Sequence, residues 1–181
     1  MKVFCIKTPK FILTKMTATD GDKYYQLSNN DKVMKYVTGF ALSREESDKM
    51  LAEILKENDT NTYYGRYLIE ERKTGVLVGA AKLEPYGSET EIGYRIMEEY
   101  WGKGVATEIA KQLIRFSFRT FNPTAVIAFV DVHNAASIRV LEKAGMENVQ
   151  QFDDIDEEKY KFSFVPKPTI AQKMRSILFS D

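Results

Sequence analysis

Two closely spaced glycines carry the clearest chemical signal in this chain. Gly102-Lys103-Gly104-Val105-Ala106-Thr107 opens a stretch in which Val105, Ile109, Leu113 and Phe116 share one helical face. The first turn of a helix leaves backbone N–H groups unpaired and gathers positive partial charge. Glycines just ahead of it let the chain wrap closely around an anion, so a phosphate or pyrophosphate is a natural ligand. A glycine turn that only starts a helix has the same letters. Upstream, Glu91 precedes Gly93 by two residues in an extended run, so both lie on one strand face and Glu91 is a candidate general base. A strand glutamate paired with a neighbouring lysine is the alternative. The one histidine, His133, reads as an ordinary loop residue. Asp153, Asp154, Asp156, Glu157 and Glu158 form an acidic run that could attract a cationic amine or cap a solvated hairpin.

Composition narrows the function classes. The 181 residues suit a single domain, 1–181, with 166–181 an unassigned tail. Lys plus Arg and Asp plus Glu number 26 each, giving a net charge of zero and no basic surplus for nucleic acid. Cys5 alone cannot form an intramolecular disulfide, and Cys5 with His133 cannot build a tetrahedral zinc site. The opening residues lack a signal-peptide core and no apolar run is long enough to span a membrane, which points to the cytosol.

The pattern predicts strands at Phe11–Thr14, Tyr64–Glu70, Val76–Leu83, Thr90–Ile96, Ala125–Val130, Val149–Phe152 and Lys159–Val165. Helices are expected through Tyr24 and Leu27, from Ser43 with a capping box to Glu46, from Val105, and from Ala135 to a cap at Gly145. Turns at Lys73-Thr74-Gly75 and Pro85-Tyr86-Gly87-Ser88 are too short for helical crossovers, so three strands should form an antiparallel meander. Gly93 interrupts the last of them, suggesting a bulge that could turn a backbone N–H outward.

Other phosphate motifs fit less well. A P-loop would need four residues between its glycines followed by Lys-Ser or Lys-Thr. A dinucleotide fingerprint matches at Gly102 and Gly104 but has Thr107 at its third position. Trp101-Gly102-Lys103-Gly104-Val105-Ala106 instead resembles the acetyl-CoA pyrophosphate loop of the GNAT superfamily of N-acetyltransferases, with Trp101 where Gln or Arg is usual. Asn134-Ala135-Ala136-Ser137, Leu141-Glu142-Lys143-Ala144-Gly145-Met146 and Glu91-Ile92-Gly93-Tyr94 resemble motifs of its ribosomal-protein N-terminal acetyltransferase subfamily.

That resemblance implies an α/β (α+β) fold. Its central, mostly antiparallel, twisted sheet has about six to seven strands, helices on both faces, and a splay between the family's fourth and fifth strands. It implies acetyl-CoA as cosubstrate, with contacts from Ile96, Met97, Trp101, Gly102, Lys103, Gly104, Val105, Ala106, Thr107, Asn134 and Ser137. It implies Glu91 as base and Ser137 as acid for the leaving thiolate, because the tyrosine many members use is replaced by Leu141. Ser137 also reads as a first-turn helix serine, and Asn134 as that helix's N-cap. Tyr36, Tyr86 and residues Met34 to Phe40 fall near the implied acceptor cleft, and Cys5 has no implied role. The implied acceptor is a small-molecule amine or a protein N-terminus, with neither nucleic acid nor membrane as partner and a homodimer as the family-level state. A non-catalytic acetyl-CoA sensor and a dinucleotide-binding protein are the alternatives.

Overall fold

Alternating burial builds the strands of this protein. In β2 (Phe11–Lys15), Phe11, Leu13 and Lys15 turn inward while Ile12 and Thr14 are part-exposed, the period of a sheet covered mainly on one side. The computed structural model describes residues 4–58, 61–153 and 158–167. Its remaining strands are β1 (Cys5–Lys7), β3 (Gly65–Glu71), β4 (Leu77–Tyr86), β5 (Glu89–Ile96), β6 (Val126–Asp131), β7 (Glu147–Asp153) and β8 (Glu158–Phe164). Helices are α1 (Gly21–Ser28), α2 (Asp31–Met34), α3 (Arg44–Asn58), α4 (Val105–Thr120) and α5 (Ala135–Ala144).

The eight strands form one sheet in the order β1-β2-β3-β4-β5-β6-β8-β7. The strand beyond the expected seven is β1, three residues paired antiparallel to β2. The expected turn at Pro85 to Ser88 is shorter in fact, because β4 runs on through Pro85 and Tyr86 and the chain reverses at Gly87, φ +58°. Pairing with β3 already ends at Leu83, so the missing proline N–H on that side removes no rung. Among the described residues only β5 and β6 pair in parallel, which excludes the doubly wound sheet of the dinucleotide alternative.

Helices lie on both faces. The apolar stripe of α4 buries Val105, Ile109, Leu113 and Phe116 against Ile92, Ile96, Val126 and Val130, and α5 adds Leu141 and Ala144 to the same core. On the opposite face α1 and α3 cover one end of the sheet through Tyr24, Leu27, Leu51, Leu68 and Ala80. The capping box forms as expected: Ser43 N–H donates to Glu46 Oε2 at 2.8 Å, and Glu46 N–H to Ser43 Oγ at 3.3 Å.

One junction matters most. β5 and β6 share two register pairs, Thr90 with Val126 and Glu91 with Ile127, and then diverge. Beyond that point β6 stays paired with β8 as far as Asp131, and β5 stays paired with β4 as far as Ile96. The result is a wedge that opens toward the start of α4.

Candidate active site

The glycine loop lies at the mouth of this wedge. Gly102 and Gly104 adopt φ +72° and +77°, where a side chain would be strained. The first intrahelical bond of α4 runs from Glu108 N–H to Gly104 O at 3.0 Å, so the N–H groups of Val105, Ala106 and Thr107 have no helical partner. No side chain caps them. A 16-residue helix therefore presents a bare positive end to the cleft. Trp101 explains its place in the loop: its Nε1–H donates to Ile96 O at 2.7 Å, fastening the loop to the end of β5.

The direction of the backbone groups along β5 can be worked out. Thr90 N–H bonds Ala125 O at 3.0 Å on the β6 side, and Met97 N–H bonds Val78 O at 2.8 Å on the β4 side. A strand reverses its N–H direction at every residue, and an odd number of steps separates these two, so the alternation is uninterrupted. The ladder with β4 is likewise unbroken from Gly79–Ile96 to Tyr86–Glu89. The bulge expected at Gly93 is therefore absent, and Gly93 N–H faces β4. The groups that face the wedge without a strand partner begin at Tyr94. Gly93 has a different reason to be glycine, since a Cβ there would lie 2.8 Å from Lys82 Cγ.

Lys82 lies across Gly93 to pair with Glu91 and, at 3.1 Å, with Glu84. The Glu91 side chain is only 13% exposed and lines the cleft. The glutamate–lysine pair considered as an alternative thus exists, and it holds the carboxylate at the floor of the cleft. Opposite, Asn134 Oδ1 accepts Ser137 N–H at 3.1 Å and caps α5. The Tyr94 hydroxyl reaches across the wedge to within 3.0 Å of Ser137 Oγ and donates to Ser137 O at 3.3 Å. Burial pushes the Tyr94 phenol up to about 12, against the smaller opposing effect of the Ser137 hydrogen bond. It therefore stays protonated and able to donate.

An uncapped helix end, an open strand edge, and a carboxylate and a hydroxyl pair lining one cleft fit one enzyme class, and the comparisons decide it. Residues 10–147 match the Acetyltransferase (GNAT) domain family. The chain belongs to the GNAT acetyltransferases.

It is 26% identical over 173 residues to an uncharacterised N-acetyltransferase, p20, of Bacillus licheniformis, covering 88% of this chain and 95% of that one. A GNAT-family acetyltransferase from Bacillus anthracis superposes with a TM-score of 0.77 at 21% identity, over 89% and 98% of the two chains. RimL, a ribosomal L7/L12 α-N-protein acetyltransferase solved with coenzyme A, superposes at 0.75 with 16% identity, over 91% and 98%. The protein is accordingly an N-acetyltransferase.

Ile96, Trp101, Gly102, Gly104, Val105, Ala106, Thr107, Asn134, Ser137 and Glu91 all line the acetyltransferase's cleft. Lys103 stands in the loop with its ammonium over the Tyr100 ring at 5.8 Å. Met97 does not join them. Its side chain is buried with α1, its N–H is bonded to Val78 O, and its carbonyl accepts Tyr100 N–H at 3.0 Å. Tyr36 and Tyr86 line the cleft as expected, and the Tyr36 hydroxyl donates to His133 O at 3.1 Å. His133 supplies only its backbone to the described bonds, and Cys5 lies in the edge strand far across the sheet. The acidic positions 154–157 and the tail residues 168–181 fall outside the described residues. Sequence reasoning missed Tyr94 as a partner of Ser137 and Lys82 as a partner of Glu91. Among the described residues no helix is long and apolar enough to cross a membrane, and no acidic, His or Cys cluster could hold a metal.

Proposed function

We propose that this acetyltransferase uses acetyl-CoA to acetylate a primary amine, on a small molecule or a protein N-terminus, by direct attack within a ternary complex. One observation carries the reading. The unpaired edge of β5 runs from the bare N-terminus of α4 to the level at which Glu91 and the Tyr94–Ser137 pair line the same cleft from opposite faces of the strand. Pyrophosphate oxygens suit the N–H groups of Gly102 to Thr107. An extended amide-bearing arm suits the open backbone groups of Tyr94 and the N–H of Ile96, replacing the β6 rungs that are missing there.

The chemistry follows from what each residue offers. The amine nitrogen attacks the thioester carbon, the new C–N bond forms, and the C–S bond breaks. The proton lost by nitrogen passes to Glu91, directly or through one water. Tyr94 N–H points into the wedge, where it can stabilise the charge that develops on the thioester oxygen. The departing thiolate accepts a hydrogen bond from the Ser137 hydroxyl and takes its proton from solvent, as Glu91 returns to solvent the proton it gained. Tyr94 has one proton to donate; when it goes to Ser137 Oγ in place of Ser137 O, the serine proton is turned outward into the cleft, so Tyr94 acts as a positioning residue. RimL's α-N-protein substrate supports a protein N-terminus as one acceptor, and the fold alone does not choose among amines.

The test is CoA thiol release from acetyl-CoA across an amine panel, with Glu91→Gln run over a range of pH. The expected result is release with at least one amine and a rate that falls roughly 100-fold in Glu91→Gln, within the usual worth of a general base. An unchanged rate and pH profile in that variant would remove Glu91 from the mechanism. Thermal stabilisation by acetyl-CoA without release from any amine would leave a sensor module instead.

A further inference from the structure

The charges on the cleft floor are mostly matched. Glu91 and Glu84 share Lys82, Glu84 also meets Arg66, and Lys32 meets Glu98. Arg95 is different. It follows Glu91 and Gly93 on the same face of β5 and lines the same cleft. Among the described residues, its guanidinium is met only by Met34 Sδ, 2.9 Å from Nη1, and by the Tyr24 ring, 5.0 Å from Cζ. A thioether is a weak acceptor, so most of the guanidinium's five donors remain unspent in a part-buried setting. Such a cation is normally paired with a carboxylate or phosphate.

A second group in the same place is also unmet. Tyr24 is 1% exposed, and its hydroxyl oxygen is buried with no hydrogen-bond partner. Buried hydroxyls are nearly always satisfied, and this one belongs to the ring on which Arg95 rests. Lys35, just after α2, lines the same cleft, while the neighbouring Lys32 is matched by Glu98.

We infer that the acceptor carries an oxyanion, a carboxylate or a phosphate, on the same molecule as its amine, and that Arg95 and Tyr24 bind it. The inference rests on the proposed transfer to an amine near Glu91. Four residue steps separate Glu91 from Arg95, roughly 13 Å along the backbone. Even with both side chains leaning inward, that span suits an amine and an oxyanion several bonds apart, as in an ω-amino acid or a dipeptide. The short span of an α-amino acid is too small.

Matched acceptors test this. ε-Aminohexanoate and aminohexyl phosphate are compared with hexylamine, in thiol release with acetyl-CoA and in equilibrium binding to the CoA-bound protein. The two anionic arms separate a carboxylate site from a phosphate site. At least one should exceed hexylamine by roughly tenfold in kcat/KM and in affinity, the usual worth of a charge-assisted pair. Arg95→Gln should bring that ratio to within about twofold of one, Arg95→Lys should keep part of it, and Tyr24→Phe should lower it about threefold. Circular dichroism and acetyl-CoA-dependent melting confirm folding of each variant. A wild-type ratio near one, or a ratio unmoved by Arg95→Gln, overturns the inference and leaves Arg95 as packing on Tyr24. Arg95-dependent binding of an anionic amine with no thiol release overturns the transfer reading alone.

Discussion

Replacing Tyr94 with Phe should make the protein less stable near neutrality and more stable in strong alkali. The ring and its packing are kept, and the hydroxyl that meets Ser137 Oγ and O is lost. At about pH 8 the cost is one part-buried hydrogen bond, about 1 kcal/mol. In alkali a second effect grows with the opposite sign. An unfolded tyrosine ionises near 10, whereas burial holds the folded Tyr94 phenol up to about 12. Below pH 10 both states keep the proton, and the wild type has its full stability. Between the two values the unfolded chain sheds the proton first, so wild-type stability falls as pH rises. Two tenfold steps at about 1.4 kcal/mol each set the ceiling, and partial exposure of the ring reduces the loss to about 2 kcal/mol. Phenylalanine has no such loss. Denaturant unfolding of both proteins, followed by circular dichroism across this range, should give stability curves that cross at about pH 11. Tyr67, whose phenol burial also raises, contributes equally to both proteins and cancels. Parallel curves from neutrality to pH 12 would refute the burial argument. A crossing with an unchanged thiol-release rate near neutrality would refute only the positioning role given to Tyr94.

Gly79→Ala should cost more than 3 kcal/mol or prevent folding, because a Cβ there would collide with the Arg95 carbonyl oxygen, which is backbone and cannot move aside; denaturant midpoints measure it. Trp101→Phe removes the bond to Ile96 O, so KM for acetyl-CoA should rise about fivefold while the unfolding midpoint shifts little. Lys82→Met leaves Glu91 without the cation that holds its carboxylate in place, and kcat for thiol release should fall about tenfold with little change in KM for acetyl-CoA. An unmoved kcat would show that the pair does not position Glu91 for the reaction.

Local signals made much of the fold legible. α4 was readable because a glycine pair precedes an unbroken apolar stripe, and α3 because Ser43 and Glu46 carry their own cap. β1 was not, since three residues paired at an edge leave no periodicity to detect. Pro85 misled because its effect depends on where β3 stops, which no local window contains. The site divides the same way. The glycine loop, Glu91 and Asn134 with Ser137 belong to short motifs, but the partners that give them meaning do not. Lys82 meets Glu91 only once the β4–β5 register is known, and Tyr94 meets Ser137 across 43 residues. The absent bulge at Gly93 shows the same limit from the other side. A strand glycine marks a close approach, but whether of a bent backbone or of a crossing lysine is decided by the neighbouring strand.

The two-rung junction of β5 and β6 bears on the order in which substrates arrive. Tyr94 stands on one bank of the wedge and Ser137 on the other, and one hydroxyl joins them there. Under the proposed function, acetyl-CoA laid along β5 supplies contacts that the sheet lacks and fixes the distance between the banks. An amine arriving first would meet a site whose two halves are loosely spaced. Acetyl-CoA should therefore bind first and the acetylated amine leave before CoA, a compulsory sequence that product-inhibition patterns would display.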